Sequence, residues 1–223
     1  MFYYVVVPFM VHMIIYWSSS GLFYILDCYY MDKDHSNWDK YPVAAKTSLI
    51  NQMFISFPIL YGLRDHIEKA IINSSNDSNM MIGIKLLLII NLANLLFYSF
   101  HRILHIKLFY NKIHYRHHEF VEPVAVAALY AHPIEHITAN TLSFLLPFIL
   151  IGSTYNIMLI LLGGASLITV LSHTNHNKFL PTFNDHIIHH KLFRYNYGFG
   201  GYIDRIFNTY FGGYASKGGV IVG

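Results

Sequence analysis

Long uncharged stretches divide the first hundred residues of the chain. Residues 2–26 contain no Lys, Arg, Asp or Glu, residues 47–63 are shorter and also uncharged, and residues 80–100 carry only Lys85. A helix needs about 20 apolar residues to cross the hydrocarbon core of a bilayer. The pattern therefore predicts transmembrane helices in the first and third stretches and a marginal one in the second.

A further uncharged stretch covers residues 137–172 and is interrupted by Gly152-Ser153-Thr154. Its 36 residues are slightly short for two full crossings, so it predicts a helical hairpin with tilted or partly re-entrant arms. Side chains before and after this hairpin can share one site only if the chain crosses the membrane an even number of times between them.

The composition supports the membrane interpretation. Hydrophobic residues make up 54% of the chain and charged residues 12%, whereas soluble domains carry about 25% charged residues. The alternative is a soluble protein with very apolar core helices. A net charge of +3 without an Arg/Lys run argues against a nucleic-acid partner, and the single cysteine, Cys28, excludes an internal disulfide framework or a thiolate cluster.

The positive charges predict the orientation of the chain. Nine Lys and Arg residues follow His101, whereas residues 64–79 hold two and the first 26 hold none. Positive residues favour the cytoplasmic face, so the histidine-rich part is expected in the cytosol and residues 64–79 in the lumen. Two N-x-S sequons, at Asn73 and Asn76, fit a luminal loop. The first apolar run lacks a basic n-region and is interpreted as a retained anchor instead of a signal peptide.

Twelve of the 15 histidines lie between positions 101 and 190. Residues three and four apart share one face of a helix, with Cβ atoms about 5–6 Å apart, so imidazoles at these spacings can bind one ion or bracket two. Without a metal, so many buried imidazoles would lack partners and repel one another when protonated. Five clusters have such spacings: His101/His105, His114/His117/His118, His132/His136, His173/His176 and His186/His189/His190.

The number of clustered histidines predicts more than one metal ion. A structural zinc ion takes four ligands in a closed tetrahedron, and eight or more histidines exceed that number, which indicates two ions with open positions. Imidazole suits iron, zinc and copper alike, so the spacing leaves the metal open. The isolated His12, His35 and His66 are interpreted as hydrogen-bonded core residues.

Three of the clusters resemble, in order, the histidine boxes H-x3-H, H-x2-H-H and H-x2-H-H of the fatty acid hydroxylase superfamily: His101/His105, His114/His117/His118 and His186/His189/His190. The resemblance covers residues 95–212. Residues 117–120 and 127–135 are similar to the C-4 methylsterol oxidase branch, and Asn196-Tyr197-Gly198 follows the third box as in the family. The chain departs from the family at Ile203, where Trp is usual, and at Asn208, where Gly is usual, which leaves the substrate open.

The resemblance implies an all-α fold, in which polytopic membrane helices carry a cytosolic helical cap with a histidine-box di-metal site. Three regions are expected: transmembrane helices and loops at residues 1–94, a catalytic domain at residues 95–212 that includes the membrane hairpin, and a flexible C-terminal tail at residues 213–223. The implied location is the endoplasmic reticulum membrane, with the metal site facing the cytosol. A homo-oligomer is left open.

The implied activity is that of an oxidoreductase in which two iron ions use O2 to hydroxylate or otherwise oxidise an unactivated C–H bond of a membrane lipid. NAD(P)H would supply electrons through a reductase and cytochrome b5. A sterol is the preferred substrate, as in C-4 methylsterol oxidases or sterol desaturases, and a fatty-acyl or sphingolipid substrate is the alternative.

The resemblance also implies a set of metal ligands: His101, His105, His114, His117, His118, His173, His186, His189 and His190. No further catalytic or cofactor-binding residue is assigned. A ligand role and a structural role both stay open for His132, His136 and His176. Glu135 and Asp185 are expected either to orient ligand imidazoles or to be solvated helix charges.

Two other classes of protein compete with this interpretation. A histidine-rich membrane metal transporter would place its ligands inside the spans near mid-bilayer, whereas the clusters here lie outside the longest apolar runs and at helical spacing, which favours a fixed site. A degenerate, inactive member of the family is the other alternative, and the intact boxes argue against it.

Overall fold

Helices form the regular structure of the computed structural model, which describes residues 3–32, 37–174, 176 and 183–212. No strand occurs in this part of the chain, so the expected all-α class is confirmed. His35 and the expected tail at residues 213–223 lie outside the described residues. The α-helices in chain order are α1 Tyr3–Tyr30, α2 Tyr41–Asn51, α3 Phe57–Gly62, α4 Arg64–Ile72, α5 Asn79–Leu104, α6 Lys107–Lys112, α7 Pro133–Glu135, α8 Ser143–Ile151, α9 Tyr155–Leu171, α10 Asn184–Leu192 and α11 Tyr202–Ile206.

Four helical segments are long and apolar enough to cross a membrane, which indicates a multi-pass membrane protein: Tyr3–Tyr30, Trp38–Gly62, Asn79–Leu104 and Pro133–Ile151. The shorter apolar helix α9 follows the fourth segment. The second segment is longer than its uncharged run, because helical structure continues backwards through Lys46 and Lys40 to a 3-10 turn at Trp38–Lys40. The span that the sequence marks as marginal therefore reaches 25 residues.

Two short π-helical segments interrupt these spans. Gln52–Ser56 joins α2 to α3, and His136–Leu142 joins α7 to α8. A π-helical turn inserts one extra residue into the helical ladder and often occurs at functional sites. The two segments contact each other, with Ser56 Oγ 2.7 Å from His136 Nε2.

The hairpin predicted from residues 137–172 is present, and its turn has a clear local cause. Helix α8 ends at Gly152, whose φ of +73° favours glycine. The next helix begins after Thr154, whose side chain accepts a hydrogen bond from the backbone N–H of Ile157 and so caps α9. Helix α8 packs mainly against α5, and α9 packs mainly against α1.

The spans give the molecule two distinct ends. At one end, Tyr3 at the start of α1 stacks on Tyr155 at the start of α9, with ring centroids 4.8 Å apart. At the other end, Asp27 near the end of α1 contacts His176, with Oδ1 2.6 Å from Nε2. Both arms of the hairpin therefore run from one end of the molecule to the other. We call the end that holds the hairpin turn the turn end, and the end that holds the histidines the histidine end.

Candidate metal centre

The structure brings all nine histidines of the expected ligand set together at the histidine end, in two groups. Within each group the potential ligand nitrogens lie within 4.8 Å of one another. The five-histidine group consists of His101, His105, His114, His118 and His189. The four-histidine group consists of His117, His173, His186 and His190.

Both H-x2-H-H boxes divide their histidines between the two groups. On α10, His186 and His190 share one face and join the four-histidine group, while His189 joins the five-histidine group. The second box is a 3-10 helix, His114–Glu119, instead of the α-helix that the spacing suggests. In a 3-10 turn, residues i and i+3 eclipse each other, and the rings of His114 and His117 are accordingly stacked, 5.6 Å apart. Each of the two boxes therefore contributes histidines to both groups.

The spacing of the Nε2 atoms fits metal coordination. In the five-histidine group, Nε2 of His114 lies 3.1, 3.0 and 3.1 Å from Nε2 of His101, His105 and His118. In the four-histidine group, Nε2 of His186 lies 3.2 Å from that of His173 and 3.3 Å from that of His190. For a metal–nitrogen bond of about 2.1 Å, adjacent ligand nitrogens stand about 3.0 Å apart in an octahedron and about 3.4 Å apart in a tetrahedron.

Backbone carbonyls fix the tautomer of several rings. A carbonyl oxygen only accepts, so a neutral ring that donates from Nδ1 has no hydrogen on Nε2. Five rings donate in this way, at distances of 2.6–3.3 Å: His101 to Tyr197, His117 to Tyr130, His173 to Thr169, His189 to Tyr195 and His190 to Phe120.

The pair His117 and His173 tests whether the site fits a metal. Both rings donate from Nδ1 to carbonyls, yet their Nε2 atoms face each other at 3.2 Å. Two unprotonated nitrogens at this distance present lone pairs to each other and repel. A cation between them turns this repulsion into two bonds, so the donor set fits a metal ion.

Burial keeps these imidazoles neutral, which is the form that binds a metal. Loss of solvent lowers the pKa of His105 to about 3 and that of His117 to about 4. Loss of solvent, and then the neighbouring His117, lowers the pKa of His173 to about 3. The pKa values of His114, His118, His186, His189 and His190 are lowered well below the ordinary range, first by burial and then by the adjacent imidazoles.

One of the two acidic residues expected near the ligands meets a histidine of the site. Glu135 Oε2 lies 2.9 Å from His114 Nδ1, and neither atom has another hydrogen-bond partner. The carboxylate of Asp185 makes no hydrogen bond to any of the nine histidines. Burial, with the nearby Asp204 carboxylate, raises the pKa of Asp185 to about 6.

The three undecided histidines all lie outside both groups. The His132 side chain accepts a hydrogen bond from the backbone N–H of Ile134 and caps α7. His136 is buried against Ser56, and His176 pairs with Asp27. The isolated His12 is hydrogen-bonded inside the protein, 2.7 Å from Ser166 Oγ, as the sequence interpretation expects.

The segment after the third box holds the first box in place, a role that the sequence did not reveal. Asp204 accepts hydrogen bonds from the backbone N–H groups of Tyr197 and Gly198, both at 2.8 Å. Asn94 on α5 donates to the carbonyl of Phe199 at 2.7 Å and accepts from its N–H at 2.8 Å. This clamp fixes the Tyr197 carbonyl that accepts from His101. No local motif announces such carbonyl partners, because any residue type can supply them.

Comparison with known proteins agrees with this geometry. The family model for fatty acid hydroxylase matches residues 86–209, which include all nine histidines. Human fatty acid hydroxylase domain-containing protein 2 is 32% identical over 87% of this chain and 63% of its own length. Sphinganine C4-monooxygenase 2 of Arabidopsis thaliana is 26% identical over 90% of this chain and 85% of its own length. A putative methylsterol monooxygenase of Dictyostelium discoideum is 28% identical over 78% of this chain and 69% of its own length.

The chain spans 63% of the length of the human protein and of its Macaca fascicularis counterpart. No solved structure matches the chain. The relatives include a putative methylsterol monooxygenase, a sphinganine C4-monooxygenase and a very-long-chain aldehyde decarbonylase, so the family acts on lipids of several classes.

Proposed function

Because the chain belongs to the fatty acid hydroxylase family, we propose that it is a membrane-bound, di-iron, O2-dependent lipid oxygenase. The observation that carries this proposal is the arrangement of nine buried or half-buried histidines in two groups whose Nε2 atoms converge. Each group provides at least four imidazole nitrogens, so the proposal assigns one iron ion to each. When bound, the two ions would activate O2 and oxidise a C–H bond with electrons supplied by a reductase.

The chain's own residues prepare the site in three ways. The carbonyls of Tyr197, Tyr130 and Thr169 hold rings with their Nε2 atoms inward. Glu135 holds His114 from its outer nitrogen, as carboxylates behind metal-bound histidines do. The segment Ala125–Leu129, whose five residues are all buried, packs against α1, α2 and α9 and adds a dry apolar wall directly before Tyr130.

The two groups are proposed to differ in how much room they leave for a reacting molecule at the metal. The five-histidine group would offer five imidazole nitrogens to its ion and the four-histidine group would offer four, so the second ion would have fewer protein ligands. Catalytic metal sites keep open positions for the reacting molecule. The four-histidine group is therefore the proposed side of substrate attack.

A sterol is the proposed substrate. The similarity of residues 127–135 to methylsterol oxidases and the match to a putative methylsterol monooxygenase support it. A sphingoid base is the second candidate, since the sphinganine C4-monooxygenase match covers 90% of the chain. NAD(P)H, a reductase and cytochrome b5 as electron donors, and an endoplasmic reticulum location with the site in the cytosol, are parts of the same proposal.

Metal analysis of the purified chain tests the central claim. We expect about two iron ions per chain, with the His117→Ala and His189→Ala variants each losing iron from one group. One zinc ion per chain, or no metal, would contradict the di-iron proposal.

Lipid profiling tests the substrate. Cells that express the chain are compared with cells that express His117→Ala, in both the sterol and the sphingolipid fractions. We expect an oxidised sterol that depends on His117. A change only in the sphingolipids would select the second candidate, and no change in either fraction despite bound iron would reject both substrates.

A further inference from the structure

A cavity of about 90 Å³ lies among the spans, between α1, α3, the hairpin and the segment Ala125–Leu129. Its walls combine apolar side chains with polar ones, which include His12, Ser56, His136, Asn140, Ser166 and Thr169. Pockets that enclose whole drug-sized ligands measure roughly 300–1,000 Å³. This cavity is suited to one end of a larger molecule.

The cavity adjoins the four-histidine group. Thr169, which lines it, provides the carbonyl that accepts from His173 Nδ1 at 2.8 Å. Leu129, which also lines it, precedes Tyr130, whose carbonyl accepts from His117 Nδ1 at 3.3 Å. The stretches of backbone that form this part of the cavity wall therefore also hold two histidines of the group.

The walls change from polar to apolar with distance from the histidines. Along α9 the lining residues are first Thr169 and Ser166, then Ala165 and Leu162, a distance of about 10 Å at 1.5 Å per residue. The first arm of the hairpin shows the same order, with His136 and Asn140 before Phe144. An amphiphile that fits this gradient places its polar end next to the metal centre and its apolar body toward the turn end.

Unused hydrogen-bonding groups lie at the polar end. His136 is 1% exposed, and its Nδ1 has no hydrogen-bond partner. The amide of Asn140 makes no hydrogen bond within the described part of the chain. Both residues belong to the π-helical segment His136–Leu142, and Ser56 across the cavity belongs to the other one. Burying an unpaired polar atom is costly, so the unpaired His136 nitrogen indicates a ligand that pairs with it, and the half-buried Asn140 amide beside it is available to the same ligand.

We propose that this cavity binds the hydroxyl-bearing end of a neutral lipid, with His136 and Asn140 as the groups that recognise the hydroxyl. This inference rests on the proposed function, because it concerns the substrate of the same metal centre. A hydroxyl donates and accepts, so it pairs with either tautomer of His136 and with either end of the Asn140 amide.

The lining also excludes charged lipids from the cavity. Among the described residues, no Asp, Glu, Lys or Arg lines it, and a phosphate or carboxylate placed inside the spans without a counter-charge would lose its hydration uncompensated. A neutral hydroxyl at the polar end brings the carbons nearest to it close to the four-histidine group. The proposal therefore predicts oxidation within a few bonds of the hydroxyl.

Binding of matched lipid pairs to the full chain in phosphatidylcholine nanodiscs tests the proposal. The first pair is cholesterol and its 3-O-methyl ether, and the second is N-acylsphinganine and the same lipid with both hydroxyls methylated. We expect the free hydroxyl to bind about tenfold more tightly than the ether within at least one pair, the scale set by losing one or two hydrogen bonds. The pair that shows the preference identifies the source of the hydroxyl.

A variant and a matched control assign the preference to the cavity. We expect Asn140→Leu, which keeps the size of the side chain, to reduce the preference to below about threefold. Thr141→Val is the control, because Thr141 lines the same cavity but its hydroxyl donates to the His136 carbonyl within its own helix. This variant should keep the tenfold preference.

Several outcomes would overturn the proposal. Equal binding of hydroxyl and ether in both pairs would do so on the unaltered protein alone, even if the variants fail to fold. An unchanged preference in Asn140→Leu would overturn the assignment of the site. Iron content and lipid products are measured on the same preparation, so that the two proposals can be tested separately. Bound iron and turnover without a hydroxyl preference would reject only the proposal that the cavity binds the hydroxyl. A hydroxyl preference without bound iron would reject only the proposal that the protein is a di-iron oxygenase.

Discussion

At the residue scale, five of the nine histidines use their two ring nitrogens for different purposes. Nδ1 donates to a backbone carbonyl, and Nε2 faces another imidazole. The carbonyl bond fixes the ring orientation before a metal arrives, which lowers the cost of assembling the site. Since each ring is set independently by its own carbonyl, the loss of one histidine should affect one ion more than the fold.

His173→Ala tests this independence, with His176→Ala as the matched control. His173 belongs to the four-histidine group, whereas His176 lies in neither group and pairs with Asp27. We expect His173→Ala to reduce the iron content from about two ions per chain to about one, measured by elemental analysis after gel filtration. His176→Ala should retain both ions. Equal loss in the two variants would show that iron content follows general stability.

Acidification should destabilise the metal-free protein. An unfolded chain protonates its histidines near pH 6.5, whereas in the folded chain the pKa of His117 is about 4 and that of His173 is about 3. Between these values the unfolded state binds more protons, so the free energy of unfolding falls as the pH drops from 6.5 toward 4 and is insensitive to these groups above 6.5. The unfolding temperature of chelator-treated protein at pH 7.5 and pH 5 checks this, and an equal or higher temperature at pH 5 would contradict it.

At the element scale, the sequence predicts lengths and breaks well and local helix type poorly. The third span and the break at Gly152 follow directly from apolar runs and turn residues. The 3-10 form of His114–Glu119 and the two π-helical segments do not, because tertiary contacts such as Ser56 with His136 select among helices that are close in energy. The spacing still predicted correctly which histidines lie close together, because residues at i, i+3 and i, i+4 are neighbours in each helix type.

Gly152→Ala should loosen the hairpin, with Gly164→Ala as the control. A Cβ on Gly152 would lie 2.8 Å from the carbonyl oxygen of Ala70 and 2.8 Å from Ser74 Oγ, at a φ of +73°. Such a backbone conformation costs a non-glycine residue about 1–3 kcal/mol. A Cβ on Gly164, within α9, meets no atom within 4 Å, and alanine there gains about 0.5–1 kcal/mol of helix stability. The unfolding temperature in detergent should fall for Gly152→Ala and not for Gly164→Ala. An equal change in the two variants would contradict the strain at the turn.

At the scale of the whole molecule, the return of the chain between the two histidine-bearing regions is the part of the topology that the sequence could predict. The histidines before and after the hairpin can meet only if the chain returns, and the 3.2 Å between Nε2 of His117 and Nε2 of His173 shows that it does. The division into a five-histidine and a four-histidine group could not be read from spacing, because it depends on how α5, α10 and the second box converge. Residues 64–79 and the hairpin turn meet at the opposite end, where Gly152 abuts Ala70 and Ser74.

This arrangement predicts that Cys28 and Ser75 face opposite sides of the membrane. Cys28 is exposed and follows Asp27 at the histidine end, whereas Ser75 is exposed beside Ser74 at the turn end. A membrane-impermeant maleimide should label the native Cys28 from one side of sealed, uniformly oriented vesicles. In the double variant Cys28→Ser/Ser75→Cys, the new thiol should be labelled only after detergent opens the vesicles, or only from the other side. Labelling of both cysteines from the same side of intact vesicles would rule out this topology and, with it, the placement of the metal centre at one face of the membrane.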